Sequence, residues 1–176
     1  DYEVLDLMSQ LGDKSLVIAE EQRDRYRMLE TMREYGRERL ADAGETDAVR
    51  TRHLDWCVSL AERTRPEEYS SEALGDLGRE YDNLRAGLRW AIDSGDSDRG
   101  LRLVAGLWDL WSVRGLYTEG RAWTSDVLAL PTSNAQTAAH ARALQTAGHL
   151  ANCQADYLTA QDLLEQSRDI ATELGD

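Results

Sequence analysis

A chain of 176 residues with 41% hydrophobic and 30% charged side chains, two prolines and no low-complexity run has the make-up of a folded globular protein, which argues against intrinsic disorder. The formal charge of −13 is shared by the first 52 residues and the remainder, both net acidic, so nucleic acid is an unfavoured partner: displacing phosphate counterions requires a net basic face. Apolar stretches are broken every few residues by Arg, Asp or Glu, and the start Asp1-Tyr2-Glu3-Val4 lacks the basic and apolar regions of a signal peptide. These features speak against a membrane span and place the protein in the cytoplasm, with Cys57 and Cys153 as free thiols.

In chain order, Val4, Leu5, Met8 and Leu11 stand at helical spacing and predict a short helix over residues 3–11, closed by Gly12. Ser15 to Ala19 is apolar and β-branched, and Arg25 to Leu29 alternates with period two, so a β-hairpin is expected there. From Leu29 onward the apolar period is that of a helix. Leu29, Met32, Gly36 and Leu40 form one stripe that stops near Gly44. A second helix is predicted over Thr46 to Arg63, burying Val49, His53, Trp56, Cys57, Leu60 and Ala61 and ending before Pro66. A short helix is expected near Ser71 to Leu77, then one over Arg79 to Asp93 with Tyr81, Leu84, Leu88 and Ala91 on one face and Trp90 with Gly87 on the other. Two apolar faces mean packing from two sides, as inside a layered helical array. Ser94 to Asp98 breaks this helix and caps the next.

An internal repeat emerges when Arg114 to Arg121 is set on Gln154 to Gln161, which brings Tyr117 onto Tyr157, forty residues apart. In each segment a small residue, Gly120 or Ala160, follows the tyrosine by three positions. The expected device is an aromatic plug at the turn and a small residue that admits the neighbouring helix. Leu144, Gly148, Tyr157, Ala160 and Leu164 together resemble a tetratricopeptide (TPR) unit, which implies TPR-like helical hairpins.

Two further segments resemble a more specific family. Val4 to Val17 followed by Arg25 to Tyr35 is similar to the end of the winged-helix unit in STAND-class, NB-ARC-containing regulators of bacteria, and Glu80 to Ala91 is similar to the bridge after it, including Asp82, Asn83, Leu84 and Arg85. The resemblance implies a mainly α fold: the C-terminal part of a winged helix with one β-hairpin over residues 1–44, bridging helices over 45–93, and a TPR-like α-α superhelix over 94–176. It also implies a nucleotide-binding module upstream in the same polypeptide and a protein or peptide partner for the helical array.

No G-x-x-x-x-G-K-[ST] loop is present, so no nucleotide cofactor is expected to bind this chain on its own. His53 with Cys57 and His149 with Cys153 have the i, i+4 spacing of metal ligands, but more than two repeat lengths separate the pairs; core histidines and thiols are the favoured reading. No nucleophile, base and orienting group are suggested on shared helix faces, so no enzymatic activity is expected. Arg23, Arg25 and Arg27 sit where a wing could touch DNA, interleaved with Glu20, Glu21 and Asp24. Trp108, Trp111, Arg114 and Arg121 could line a groove or a small-molecule pocket; the alternative is that both tryptophans fill the seams between helices in a chain without Phe. The isolated chain is expected to self-associate through the outer face of its last helix.

Overall fold

The computed structural model describes residues 2–20, 25–63, 71–131 and 136–175; Pro66, Arg23, Glu21 and Asp24 lie outside them. Among the described residues there are ten helices and a single two-stranded hairpin, so the fold is mainly α. The chain divides into two compact units, residues 1–49 and 50–176.

The first unit comprises α1 (Tyr2–Asp13), β1 (Val17–Glu20), β2 (Arg25–Met28), α2 (Glu30–Asp42) and the first turn of α3 (Thr46–Arg63). The strands are antiparallel, with Val17 opposite Met28 and Glu20 opposite Arg25. Gly12 does not close α1. The helix runs one residue further, and the left-handed residue is Ser15 (φ 56°), whose neighbour Leu16 donates back to the Leu11 carbonyl at 3.0 Å. At the end of α2 the expected stop holds, because Gly44 takes φ 68° and Glu45 N–H returns to the Leu40 carbonyl at 2.9 Å. The predicted apolar stripe of α1 is largely exposed, with Val4 and Leu5 both at 61%.

The second unit is a stack of helix pairs. After α3 come α4 (Ser71–Arg79), α5 (Tyr81–Ser94), α6 (Ser97–Gly106), α7 (Trp108–Arg114), α8 (Tyr117–Leu128), α9 (Ala138–Cys153) and α10 (Tyr157–Leu174). Gly87 of α5 faces Cys57 of α3 so closely that a Cβ there would lie 2.9 Å from the sulfur. Gly106 of α6 does the same against Ala61, Gly120 of α8 against Leu150 of α9, and Gly148 of α9 against Leu164 of α10. Missing side chains thus set the spacing of successive helices throughout the stack.

The core of this unit holds Leu54, Cys57, Leu84, Leu88, Leu103, Val104, Leu110, Trp111, Val127 and Leu150. Tyr81, Leu84, Leu88 and Ala91 are buried as their spacing predicts. The face predicted for α3 needs correction. Leu54 and Val58 are buried with Cys57 and Ala61, whereas Trp56 is 40% exposed and stacks on His53 at 5.8 Å. The helix is turned so that Leu54 enters the core and Trp56, whose amphipathic ring tolerates a wet edge, stays at the surface against His53.

The forty-residue offset is visible in burial. Leu101, Leu103, Val104, Leu107, Leu110 and Trp111 are buried, and so are Ala141, Ala143, Leu144, Ala147, Leu150 and Ala151 at the equivalent positions. The turns match as well: Gly115 (φ 66°) and Ala155 (φ 61°) are both left-handed, and Leu116 and Asp156 donate back to the Trp111 and Ala151 carbonyls at 2.8 and 3.0 Å. The two tyrosines are equivalent in backbone but not in surroundings. Tyr117 is half-buried and donates its hydroxyl to the Ser112 carbonyl at 3.3 Å, while Tyr157 is 66% exposed. A shared plug is therefore not what bends these hairpins; the left-handed turn residue is.

Candidate functional site

The polar residues that link helix pairs recur in register. Each of α5, α8 and α10 begins with a tyrosine: Tyr81, Tyr117 and Tyr157. Four residues on, the first two carry Arg85 and Arg121, one turn along the same face. Arg85 forms a two-pronged ion pair with Glu119 of α8, at 2.6 and 2.7 Å. Arg121 reaches Asp156 before α10 at 2.8 Å and the Gln154 side chain at 3.1 Å. In both cases an arginine near the start of one pair's second helix takes an acceptor near the start of the next. The third position of the series is Gln161, which bonds Glu165 of its own helix at 2.9 Å.

Around the first of these links lies a network with a buried floor. Trp111 is fully buried and donates its indole N–H to the Tyr81 hydroxyl at 2.8 Å. The Arg85 guanidinium stands over the Tyr81 ring at 4.5 Å, and Trp123 donates to Glu119 at 3.2 Å. The hydrogen bonds from Arg85 are the main reason the Glu119 carboxyl is held below its usual range, with Trp123 and Tyr81 adding to them. Glu119 in turn raises the Arg85 pKa, and burial is the main cause of the raised Tyr81 phenol. The Arg85 fork joins α5 to α8 in a planar geometry that lysine could not reproduce, and the Trp111–Tyr81 bond ties α7 to α5. Asp82 points to solvent 3.4 Å from Arg85, Asn83 donates to Glu80 at 2.6 Å, and Leu84 is in the core.

The residues that could have lined a common groove are dispersed. Trp111 faces the core, and Trp108 is half-buried with its ring 5.1 Å from that of His149. Arg114 lies over α4, where it donates to the Gly78 carbonyl at 3.4 Å, and Arg121 reaches from α8 to the turn before α10. Gly120, Gly148 and Ala160 serve close helix approach rather than a ligand. Missed by the sequence reading were Glu119 and Asp156 as acceptors and Tyr81 as the first of the tyrosine series. The Tyr-x-x-x-Arg spacing shared by Tyr81/Arg85 and Tyr117/Arg121 was the signal that could have found them.

Cys57 is buried, its sulfur 3.8 Å from His53 Nε2 and donating to the Asn83 carbonyl at 3.4 Å. Burial pushes its thiol up to about 12, far from thiolate chemistry at neutral pH. Cys153 is exposed, contrary to the expectation of a second core thiol. Among the described residues no three His, Cys, Asp or Glu side chains gather as metal ligands. No described helix is long and apolar enough to cross a membrane.

Burial, opposed by Glu80, lowers the His53 pKa from its ordinary 6.5. The folded state therefore prefers the neutral imidazole, and its stabilising share is complete above pH 6.5 and lost as pH falls through the lower folded value. Urea titrations of wild type and His53→Gln are expected to diverge across that interval, the variant showing the flatter dependence. Parallel curves would refute a neutral, half-buried His53.

No family model matches the chain, and no solved structure matches it. It is 34% identical over 186 aligned positions to proteins of Mycobacterium bovis and Mycobacterium tuberculosis that are provisionally named HTH-type transcriptional regulators. These alignments cover 99% of this chain but 21% of each relative, so the chain spans about a fifth of their length.

Proposed function

We propose that the chain is a non-catalytic, partner-binding and signal-transducing scaffold within a bacterial transcriptional regulator. On this reading the first unit is the closing part of a winged helix in a STAND-class, NB-ARC-containing switch, and the second is a TPR-like array. The observation that carries it is the repetition of one junction: Arg85 to Glu119, then Arg121 to Asp156, each joining a helix pair to its successor. A shared junction is what lets helix pairs stack into an extended binding surface and pass displacement from pair to pair.

Two observations support the wider reading. The relatives carry the name of transcriptional regulators and are about five times longer, which leaves space for a switch module elsewhere in the polypeptide. The first unit exposes Val4, Leu5, Leu7, Ile18 and Tyr26, an apolar surface suited to contact with an upstream nucleotide-binding module. The protein works in the cytoplasm, holds no cofactor in this segment, and leaves DNA contact to other parts of the regulator.

The test is a reporter assay with the full-length regulator. Replacing both Arg85 and Arg121 by alanine is expected to preserve protein level and abolish the switch between resting and induced transcription. Normal induction by the double variant would overturn the reading, as would a salt-sensitive band shift of DNA by the isolated chain.

A further inference from the structure

The sides of α9 and α10 facing each other near their open ends lack the bulk found in the pair before them. With Tyr117 set on Tyr157, Leu101 of α6 corresponds to Ala141 of α9, and Val127 of α8 to Ser167 of α10. Leu101 and Val127 are core residues, and Val127 packs on α6 at Gly100. Their small counterparts leave an open groove of about 280 Å³, floored by Ala141, Ser167 and Leu164. The Ser167 hydroxyl donates to the Ala141 carbonyl at 2.7 Å, so this floor is internally satisfied and otherwise apolar.

Arg142 and Arg168 border the groove. In this unit Arg85, Arg99, Arg102 and Arg121 each hold a carboxylate outside their own helix. Arg142 has no carboxylate partner among the described residues, and Arg168 pairs with Asp169, its neighbour in sequence, at 3.0 Å with both side chains exposed. Glu173, further along α10, is already bonded by Gln136. In a chain with 33 acidic and 20 basic residues, a groove lining that holds two arginines and no carboxylate is a local reversal of sign.

We propose that the α9–α10 groove docks an acidic peptide segment of a partner protein, placing apolar side chains on Ala141 and Leu164 and carboxylates against Arg142 and Arg168. This rests on the scaffold reading above and names the partner's chemistry. Ligand cavities for cofactors and drug-sized molecules run upward from about 300 Å³ and enclose most of their ligand, whereas an open trough of this size suits a few side chains of a longer segment. The planar guanidinium forks match carboxylates in two-pronged geometry.

The probe is a short synthetic peptide of alternating glutamate and leucine, titrated into the isotope-labelled chain at low ionic strength and followed by amide NMR. Shifts are expected at Ala141, Arg142, Ser167 and Arg168, weakening with salt, and none with the lysine–leucine counterpart. Arg142→Glu with Arg168→Glu is expected to weaken binding about tenfold. Ala141→Leu with Ser167→Val, which restores the bulk of the preceding pair, is expected to abolish it; unchanged helical circular dichroism and melting show that the filled groove still folds. Undiminished binding by either double variant, equal binding of the lysine peptide, shifts confined to other surfaces, or no shifts at all would overturn the assignment. Concentration-dependent shifts at these amides without peptide would instead make the occupant a second copy of the chain and overturn it too. The scaffold reading is judged separately by the transcription assay, which does not involve these side chains.

Discussion

Trp111→Ala is expected to lower the stability of the second unit by about 3–5 kcal/mol, the range for truncating a large aromatic in a packed core. The indole is fully buried, lies against Gly120 and donates to Tyr81. Removal therefore opens a cavity and strips the buried phenol of its indole donor, two costs that act together. The melting temperature is expected to fall by roughly 10–15 °C, with a matching drop in the urea midpoint. Trp111→Phe keeps most of the volume but not the donor and is expected to lose clearly less. A loss below about 1 kcal/mol for the alanine variant would mean that this seam collapses freely, contrary to the close packing described.

Gly120→Val carries the second large effect, about 1–3 kcal/mol of destabilisation from overpacking. A Cβ at Gly120 would lie 2.9 Å from two carbons of the Trp111 ring and 3.1 Å from a Leu150 methyl. Valine is the better helix former, so an intrinsic propensity effect would have the opposite sign. Because the ring it strikes is that of Trp111, the double variant Trp111→Ala with Gly120→Val is expected to be more stable than the sum of the single losses, the valine entering the space left by the indole. Strict additivity in chemical denaturation would show that the two positions do not share a cavity.

Where periodicity was strong, the fold was legible. The bounds of α3 and the buried face of α5 follow from the 3.6-residue repeat, and the alternation in Arg25 to Leu29 marked the strand. The orientation of α3 was less legible, because its apolar residues cover more than one face and tryptophan satisfies both core and surface. Nor did the stripe Val104, Leu107, Trp108, Trp111 disclose a break between α6 and α7. There Leu107 sits at φ −98° and ψ −1°, donating to the Val104 carbonyl while accepting from Trp111. No proline announces that change; it accompanies the close seating of Gly106 on Ala61.

The candidate linking residues were only half visible. Arg85 and Arg121 could be singled out from motif and repeat, yet their acceptors depend on which helix lies alongside. Charge is cheap information in a chain with so many carboxylates: Glu119 is singled out by tertiary packing, which sets the Arg85 fork of another helix on it. Small residues had the same ambiguity. Gly120 and Gly148 lie where helices approach closely, but the groove at Ala141 and Ser167 arises from substitution between repeats, which becomes meaningful once burial shows that their counterparts are core.

The arginine junctions also set how load travels. Arg85 and Arg121 each tie a pair only to its immediate successor, and neither spans two steps. Tension applied at α10 is therefore borne in series, like a row of couplings on a train. Cutting one coupling is therefore expected to loosen its own step and to leave the other ion pair in place.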